Sequence, residues 1–211
     1  MRHRTIKNLD EKLELNSSFL IKDPRECKGR WNEVFGNDNP IYLEIGCGKG
    51  QFIFKHASLA PDKNYIAIEG QSNVVLRALE KAENGNVRNL RIFIDFVNDL
   101  HDYFREGELA GIYLNFSDPW PKARHAKRRL TYGKRLLNYK EVLGRDGLIE
   151  FKTDNDSLFD FTLEEIESAG LEIKEVTRDL HASQFDSKNF NTEYEDKFSS
   201  AGKNINYVKI K

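Results

Sequence analysis

Three acidic residues stand where apolar runs of the chain end. Glu44 precedes Gly46-Cys47-Gly48-Lys49-Gly50, Glu69 closes the run Tyr65-Ile66-Ala67-Ile68, and Asp95 follows Leu90 to Ile94. Glycines let a backbone turn sharply and approach a ligand without Cβ clashes. An acid about twenty residues after such a turn is placed to accept from a ribose diol, which assigns Glu69. The spacing is GxGxG, a poor fit to the GxGxxG turn that cradles a pyrophosphate, and Glu44 would repel that anion. A carboxylate there suits a ligand with an ammonium and a sulfonium, S-adenosylmethionine. Gly46 and Gly48 would line its site, Asp95 would accept from the adenine amino group, and Phe96 would pack on the adenine ring.

A second constellation follows a fourth apolar run: Asn115-Phe116-Ser117-Asp118-Pro119-Trp120-Pro121. The prolines stiffen the turn. Asp118 is expected beside the methyl donor, or else as an ordinary turn residue, a common role for Asp before Pro. Trp120 is available to stack on a base or to serve as a core aromatic. Immediately downstream, Lys122, Arg124, Lys127, Arg128 and Arg129 put five fixed cations in eight residues. Such a run is often a solvated helix face, but beside an acid–aromatic turn it points to phosphate contact.

These residues need a sheet whose carboxyl edge collects them. Apolar runs alternate with amphipathic segments, the pattern of an α/β fold. Strands are expected at 41–45, 65–68, 90–94, 111–116, 148–151, 171–176 and 207–210. Helices are expected from 50 to about 60, from an N-cap at Ser72 with Val74, Val75, Ala78, Leu79 and Ala82 on one face, from 129 to 143, and from 157 to 169 with Gly170 as C-cap. A turn is expected at Gly144–Gly147. Residues 180–203 are polar and irregular, a length that marks a functional or mobile loop. Residues 1–24 read as a basic, weakly ordered N-terminal arm, and residues 25–211 as one domain.

The 211 residues are enough for one sizeable core. Hydrophobic residues make up 39% and the net charge is -1. The basic run is therefore a local patch on a neutral protein, which suffices to bind a polyanion there. Cys27 and Cys47 are too few and too far apart for a disulfide framework, and the five histidines form no metal-ligand pattern. No apolar run could span a bilayer, and none follows Met1-Arg2-His3-Arg4 as a signal segment. The expectation is a cytoplasmic protein without metal or membrane, a monomer or homodimer.

The blocks Leu114-Asn115-Phe116-Ser117-Asp118-Pro119-Trp120-Pro121-Lys122, Arg124-His125 and Lys127-Arg128-Arg129-Leu130-Thr131-Tyr132 closely resemble the bacterial tRNA (guanine-N7)-methyltransferase family. Phe151-Lys152-Thr153-Asp154-Asn155, Thr192-Glu193-Tyr194-Glu195 and Lys197-Phe198 extend the resemblance, which runs from about Lys28 to the C-terminus. It implies a class I, Rossmann-like, doubly wound fold: a mostly parallel sheet with an antiparallel last strand. It also implies methyl transfer to a guanosine in the tRNA variable loop. Carried over by motif, Glu44, Glu69 and Asp118 would contact the cofactor, and Asp118 would be the catalytic position. Lys122, Asp154 and Thr192, Glu193, Tyr194 and Glu195 would contact the substrate, and Arg124, His125, Lys127, Arg128 and Arg129 would meet RNA. The run Asp95-Phe96-Val97-Asn98 departs from the family, where a small residue follows the acid.

Three other readings remain open to the sequence. One is a methyltransferase acting on another RNA base or an exocyclic amine, though such enzymes often carry a second proline where Trp120 stands. Another is a nucleotide-dependent oxidoreductase on the same architecture. The third is an RNA-binding module with a relic pocket, which would have no use for an acid at position 118.

Overall fold

The computed structural model describes residues 6–186, 191–192, 194–195 and 203–211. Its frame is a seven-stranded sheet built from β1 (Ile41–Ile45), β2 (Asn64–Glu69), β3 (Leu90–Ile94), β4 (Leu109–Asn115), β5 (Leu143–Thr153), β6 (Ile173–Thr177) and β7 (Asn206–Ile210). The spatial order is β3-β2-β1-β4-β5-β7-β6. The first five strands in that order pair in parallel, while β7 is antiparallel to both β5 and β6. Chain order reverses between β1 and β4, so their carboxyl ends open a crevice at the switch point.

Parallel strands are covered on both faces, so they read as continuous apolar runs rather than alternating ones. Leu43, Ile45, Ile66, Ile68, Ile112, Leu114 and Phe151 accordingly lie in the core. Helices α3 (Gln51–Leu59), α4 (Ser72–Gly85), α5 (Gly133–Val142) and α6 (Asp156–Ser168) pack against the sheet. On α4 the inward stripe is Val75, Leu76, Ala78, Leu79 and Ala82; Gln71 takes the N-cap position expected of Ser72. Gly50, at φ 73°, takes the N-cap position of α3, and a Cβ there would stand 2.7 Å from the Ala78 methyl, so glycine sets the approach of α3 to α4.

Three segments differ from the sequence expectation. Residues 144–147 belong to β5, which shifts register against β4 between Leu109 and Gly111 instead of starting after a free turn. The helix expected from residue 129 begins at Gly133, because Ala123–Arg128 winds into a 3-10 turn and Arg129 is extended. Part of the N-terminal arm is docked. Helix α1 (Leu9–Leu15) packs against α4, and Trp31 of α2 (Trp31–Phe35) is buried in the core. The Ile21 amide donates to the Ile92 carbonyl and the Ile92 amide to Phe19, each at 2.8 Å, with the Phe19 side chain buried. Apolar Leu13, Phe19 and Leu20 pack against the α4 side of the core and draw the arm in. Residues 1–5 lie outside the described residues. Among those described, no helix is long and apolar enough to cross a membrane.

Candidate active site

The carboxyl ends of β1 and β4 lie side by side, with Ile45 paired to Leu114. Between them opens a pocket of about 350 Å³, lined by the glycine turn, Glu44, Phe52, Asn115, Phe116, Thr192 and Tyr194. The turn takes its shape from Gly46 at φ 79° and Gly48 at φ 57°, conformations that disfavour a side chain. Glu44 is 2% exposed. Its Oε1 accepts from Asn115 Nδ2 at 2.8 Å, whereas its Oε2 is buried without a hydrogen-bond partner. Burial pushes the Glu44 carboxyl up to about 7, against the pull of the Asn115 amide, the Lys152 charge and the Ile53 backbone amide.

A buried carboxylate oxygen left unmatched is costly, and a cationic donor answers that cost. The amino group of S-adenosylmethionine is such a donor. Glu69 stands at the end of β2, where its Oε2 accepts from the Gly48 amide and its Oε1 from the Gln71 amide, each at 3.1 Å. It thereby braces the glycine turn while remaining partly exposed. Phe96 is 71% exposed and its ring lies over Gly70, where an added Cβ would come within 2.2 Å of the ring. An aromatic platform thus sits at the ends of β2 and β3.

Asp95 is differently employed from the sequence expectation. Its Oδ2 accepts from the Tyr103 hydroxyl at 2.7 Å and from Arg25 at 3.2 Å, and its Oδ1 accepts from the Phe96 amide. The carboxylate holds the β3 end and the N-terminal segment together, and its acceptors face the protein.

From β4 the chain enters the acid–proline–tryptophan corner. Phe116 at φ 49° and Trp120 at φ 41° are both left-handed, a strain of roughly 1–3 kcal/mol each that surrounding contacts must hold. Asp118 is exposed, and the Ser117 hydroxyl is buried without a partner. Trp120 is no core aromatic: Arg128 lies over its ring at 4.8 Å and His125 meets it edge-on at 5.7 Å. Lys122, Arg124, Lys127 and Arg128 are exposed. Arg129 is half-buried, with its Nε and Nη2 donating to the carbonyls of Pro119 and Trp120.

The far wall comes from Thr192 and Tyr194. Thr192 Oγ1 accepts from the Glu195 amide at 2.9 Å and Glu195 Oε2 from the Thr192 amide at 3.3 Å, a reciprocal capping box. Glu195 is fully buried and pairs with buried Lys152 at 2.8 Å. Burial lowers the Lys152 ammonium from its ordinary value, with Glu195 opposing. Of this motif, Thr192 and Tyr194 line the pocket, the Tyr194 ring lying 5.0 Å from Phe116. Glu193, Lys197 and Phe198 lie outside the described residues. Asp154, at the end of β5, is 17% exposed and pairs with Lys203 at 3.1 Å.

The structure therefore gathers Glu44, the glycine turn, Glu69, Phe96, the Asp118 corner and Asp154 at one sheet edge, and directs Asp95, Arg129 and Glu195 inward. Sequence reasoning did not single out Asn115, Phe116 or Lys152 as site residues. The polar Asn115 and Lys152, each ending an apolar strand run, were the available signal. Among the described residues no group of three or more His, Cys, Asp or Glu could hold a metal ion, and both cysteines are free thiols.

Known proteins resemble this chain in sequence and in fold. A family model described as "Putative methyltransferase" covers residues 38–208. The tRNA (guanine-N(7)-)-methyltransferase of Lachnoclostridium phytofermentans is 48% identical over 205 residues, 97% of this chain and 95% of the relative. That of Lactococcus lactis subsp. cremoris is 46% identical over 212 residues, 100% and 98% of the two chains. A SAM dependent methyltransferase from Aquifex aeolicus superposes with a TM-score of 0.55 at 14% identity, over 97% of this chain and 98% of that one. The fold is thus the class I methyltransferase fold, and the chain belongs to the tRNA (guanine-N(7)-)-methyltransferase family.

Proposed function

We propose that this chain transfers a methyl group from S-adenosylmethionine to N7 of a guanosine in the tRNA variable loop, in the cytoplasm. The observation that supports it most is Glu44: a buried carboxylate with one unmatched oxygen, in a glycine-lined pocket next to the strand that leads to Asp118. A dinucleotide's pyrophosphate has no use for that carboxylate, which speaks against the oxidoreductase reading.

In the proposed site Glu44 takes the ammonium end of the cofactor, Gly46 and Gly48 let the backbone approach it, Glu69 takes the ribose diol, and the Phe96 ring takes the adenine face. The cofactor, when bound, supplies an electrophilic methyl group on a sulfonium. Guanine N7 carries a lone pair and no proton, so the protein needs no general base there. Its task is in-line positioning and electrostatic stabilisation.

The attacking guanine gains positive charge as its new bond forms. Asp118 or Asp154, accepting from the guanine N1 and N2 hydrogens, stabilises that charge and selects guanine. Lys122, Thr192 and Tyr194 contact the substrate, Trp120 offers a stacking face, and Arg124, His125, Lys127 and Arg128 meet phosphates. The test is to methylate a tRNA transcript with the purified full chain and map the product by borohydride and aniline cleavage. Scission at one variable-loop guanosine is expected. Methyl incorporation that leaves the RNA resistant to scission would favour an exocyclic amine instead.

A further inference from the structure

The corner that carries Asp118 is short of its own means of support. Pro119 and Pro121 have no backbone N–H, so the chain there cannot build a regular hydrogen-bond ladder. Trp120 is left-handed at φ 41°, a conformation an L side chain rarely adopts. Carbonyls in such a turn need donors from elsewhere.

Arg129 supplies them. Its Nε donates to the Pro119 carbonyl at 3.0 Å and its Nη2 to the Trp120 carbonyl at 3.1 Å. The guanidinium carbon lies 4.2 Å from the centroid of the Phe161 ring on α6. That helix opens just past Asp154, with Asn155 capping it through the Leu158 amide. One planar group thus ties the turn after β4, which bears Asp118, to the helix after β5, beside which Asp154 stands. A lysine could reproduce the charge but not the two-pronged fork or the stack.

We propose that Arg129 is a positioning residue of the methyl-transfer site, fixing the Asp118–Trp120 corner against α6, and that it makes no contact with RNA phosphate. The role rests on the methyl-transfer reading above. It separates Arg129 from its exposed neighbours Arg124, Lys127 and Arg128, to which a polyanion has direct access.

The experiment compares Arg129→Lys, Arg129→Ala and Phe161→Leu in the full chain. It measures kcat and KM for tRNA, affinity for S-adenosylhomocysteine, the salt dependence of tRNA binding, and acrylamide quenching of Trp120 by difference from Trp120→Phe. Both Arg129 variants are expected to lose about tenfold or more in kcat, the lysine faring little better than the alanine. Phe161→Leu, which keeps charge and fork, should lose less. In all three, cofactor-product affinity and salt slope should stay at wild-type values, and Trp120 should become more accessible to quencher in the Arg129 variants.

Wild-type turnover in Arg129→Lys would overturn the proposal. So would a salt slope shallower by about one unit in Arg129→Ala, the signature of a lost phosphate contact. If Arg129→Ala does not fold, Arg129→Lys decides by the same criteria. Quenching needs no catalysis: unchanged Trp120 accessibility refutes the clamp even if the RNA is methylated elsewhere than N7, while an unmethylated N7 alone refutes the functional reading.

Discussion

The Nζ of Lys152 lies 2.8 Å from Oε2 of Glu195, and both side chains are buried. This pair joins β5 to the segment whose Thr192 and Tyr194 line the pocket. Removing one partner from a buried pair strands the other charge, at about 3–5 kcal/mol. Lys152→Met should therefore lower the melting temperature sharply and weaken S-adenosylhomocysteine binding. The double variant Lys152→Met/Glu195→Met should be less destabilised than the sum of its singles in a melting cycle. Strict additivity would mean that the pair does not couple the two segments.

Cofactor affinity should depend on pH through Glu44. Its folded value of about 7 lies above its ordinary 4.5. The neutral carboxyl is therefore favoured in the fold, and that contribution is complete below about 4.5 and lost as pH rises through about 7. Above pH 7 the buried carboxylate is charged and needs a cation. Affinity for S-adenosylhomocysteine should fall about tenfold per pH unit as pH drops below that value. Calorimetric titration of wild type and Glu44→Gln checks this: the variant should bind weakly at every pH, with a flat profile. A pH-dependent Glu44→Gln would assign the titration to another group.

A side chain at Gly70 is expected to cost the Phe96 ring its place. A methyl at 2.2 Å from the Phe96 ring must displace it. Gly70→Ala should reduce affinity for the cofactor product by about as much as Phe96→Ala, since a lost aromatic stack is worth roughly 1–3 kcal/mol by analogy with base–aromatic stacking. Equilibrium binding to both variants measures the effect. Unaltered affinity in Phe96→Ala would remove the ring from the adenine site.

The parallel strands were legible in the chain because burial on both faces leaves an unbroken apolar signature, and strand-end acids then fall at one edge by topology alone. Asp95 shows where that inference stops. Its place at the end of β3 followed from pattern, but the direction of its carboxylate depends on Tyr103 and on Arg25, 70 residues earlier in the chain. Glu195 and Arg129 teach the same lesson: a motif conveys that a charge is present, not whether it faces ligand or protein. The late start of α5 was hidden because Arg129 to Tyr132 has ordinary helix propensity, and the stacking of Arg129 on Phe161 is tertiary.

Arg128 should behave unlike Arg129. It is exposed and lies over Trp120 rather than under the corner. Arg128→Ala should weaken tRNA binding and reduce the slope of log affinity against log salt by about one unit. Filter binding across a salt series reads this directly, and an unchanged slope would place the phosphates on another surface.

The glycine-lined pocket and the Asp118–Trp120 corner are proposed to serve one reaction across the switch point. The most direct measurement is a crystal structure of the full chain with S-adenosylhomocysteine. The homocysteine ammonium should lie on the unmatched oxygen of Glu44, the adenine beside Phe96, and the sulfur should open towards Asp118. A ligand bound elsewhere, or one whose sulfur is walled off from Trp120, would contradict this.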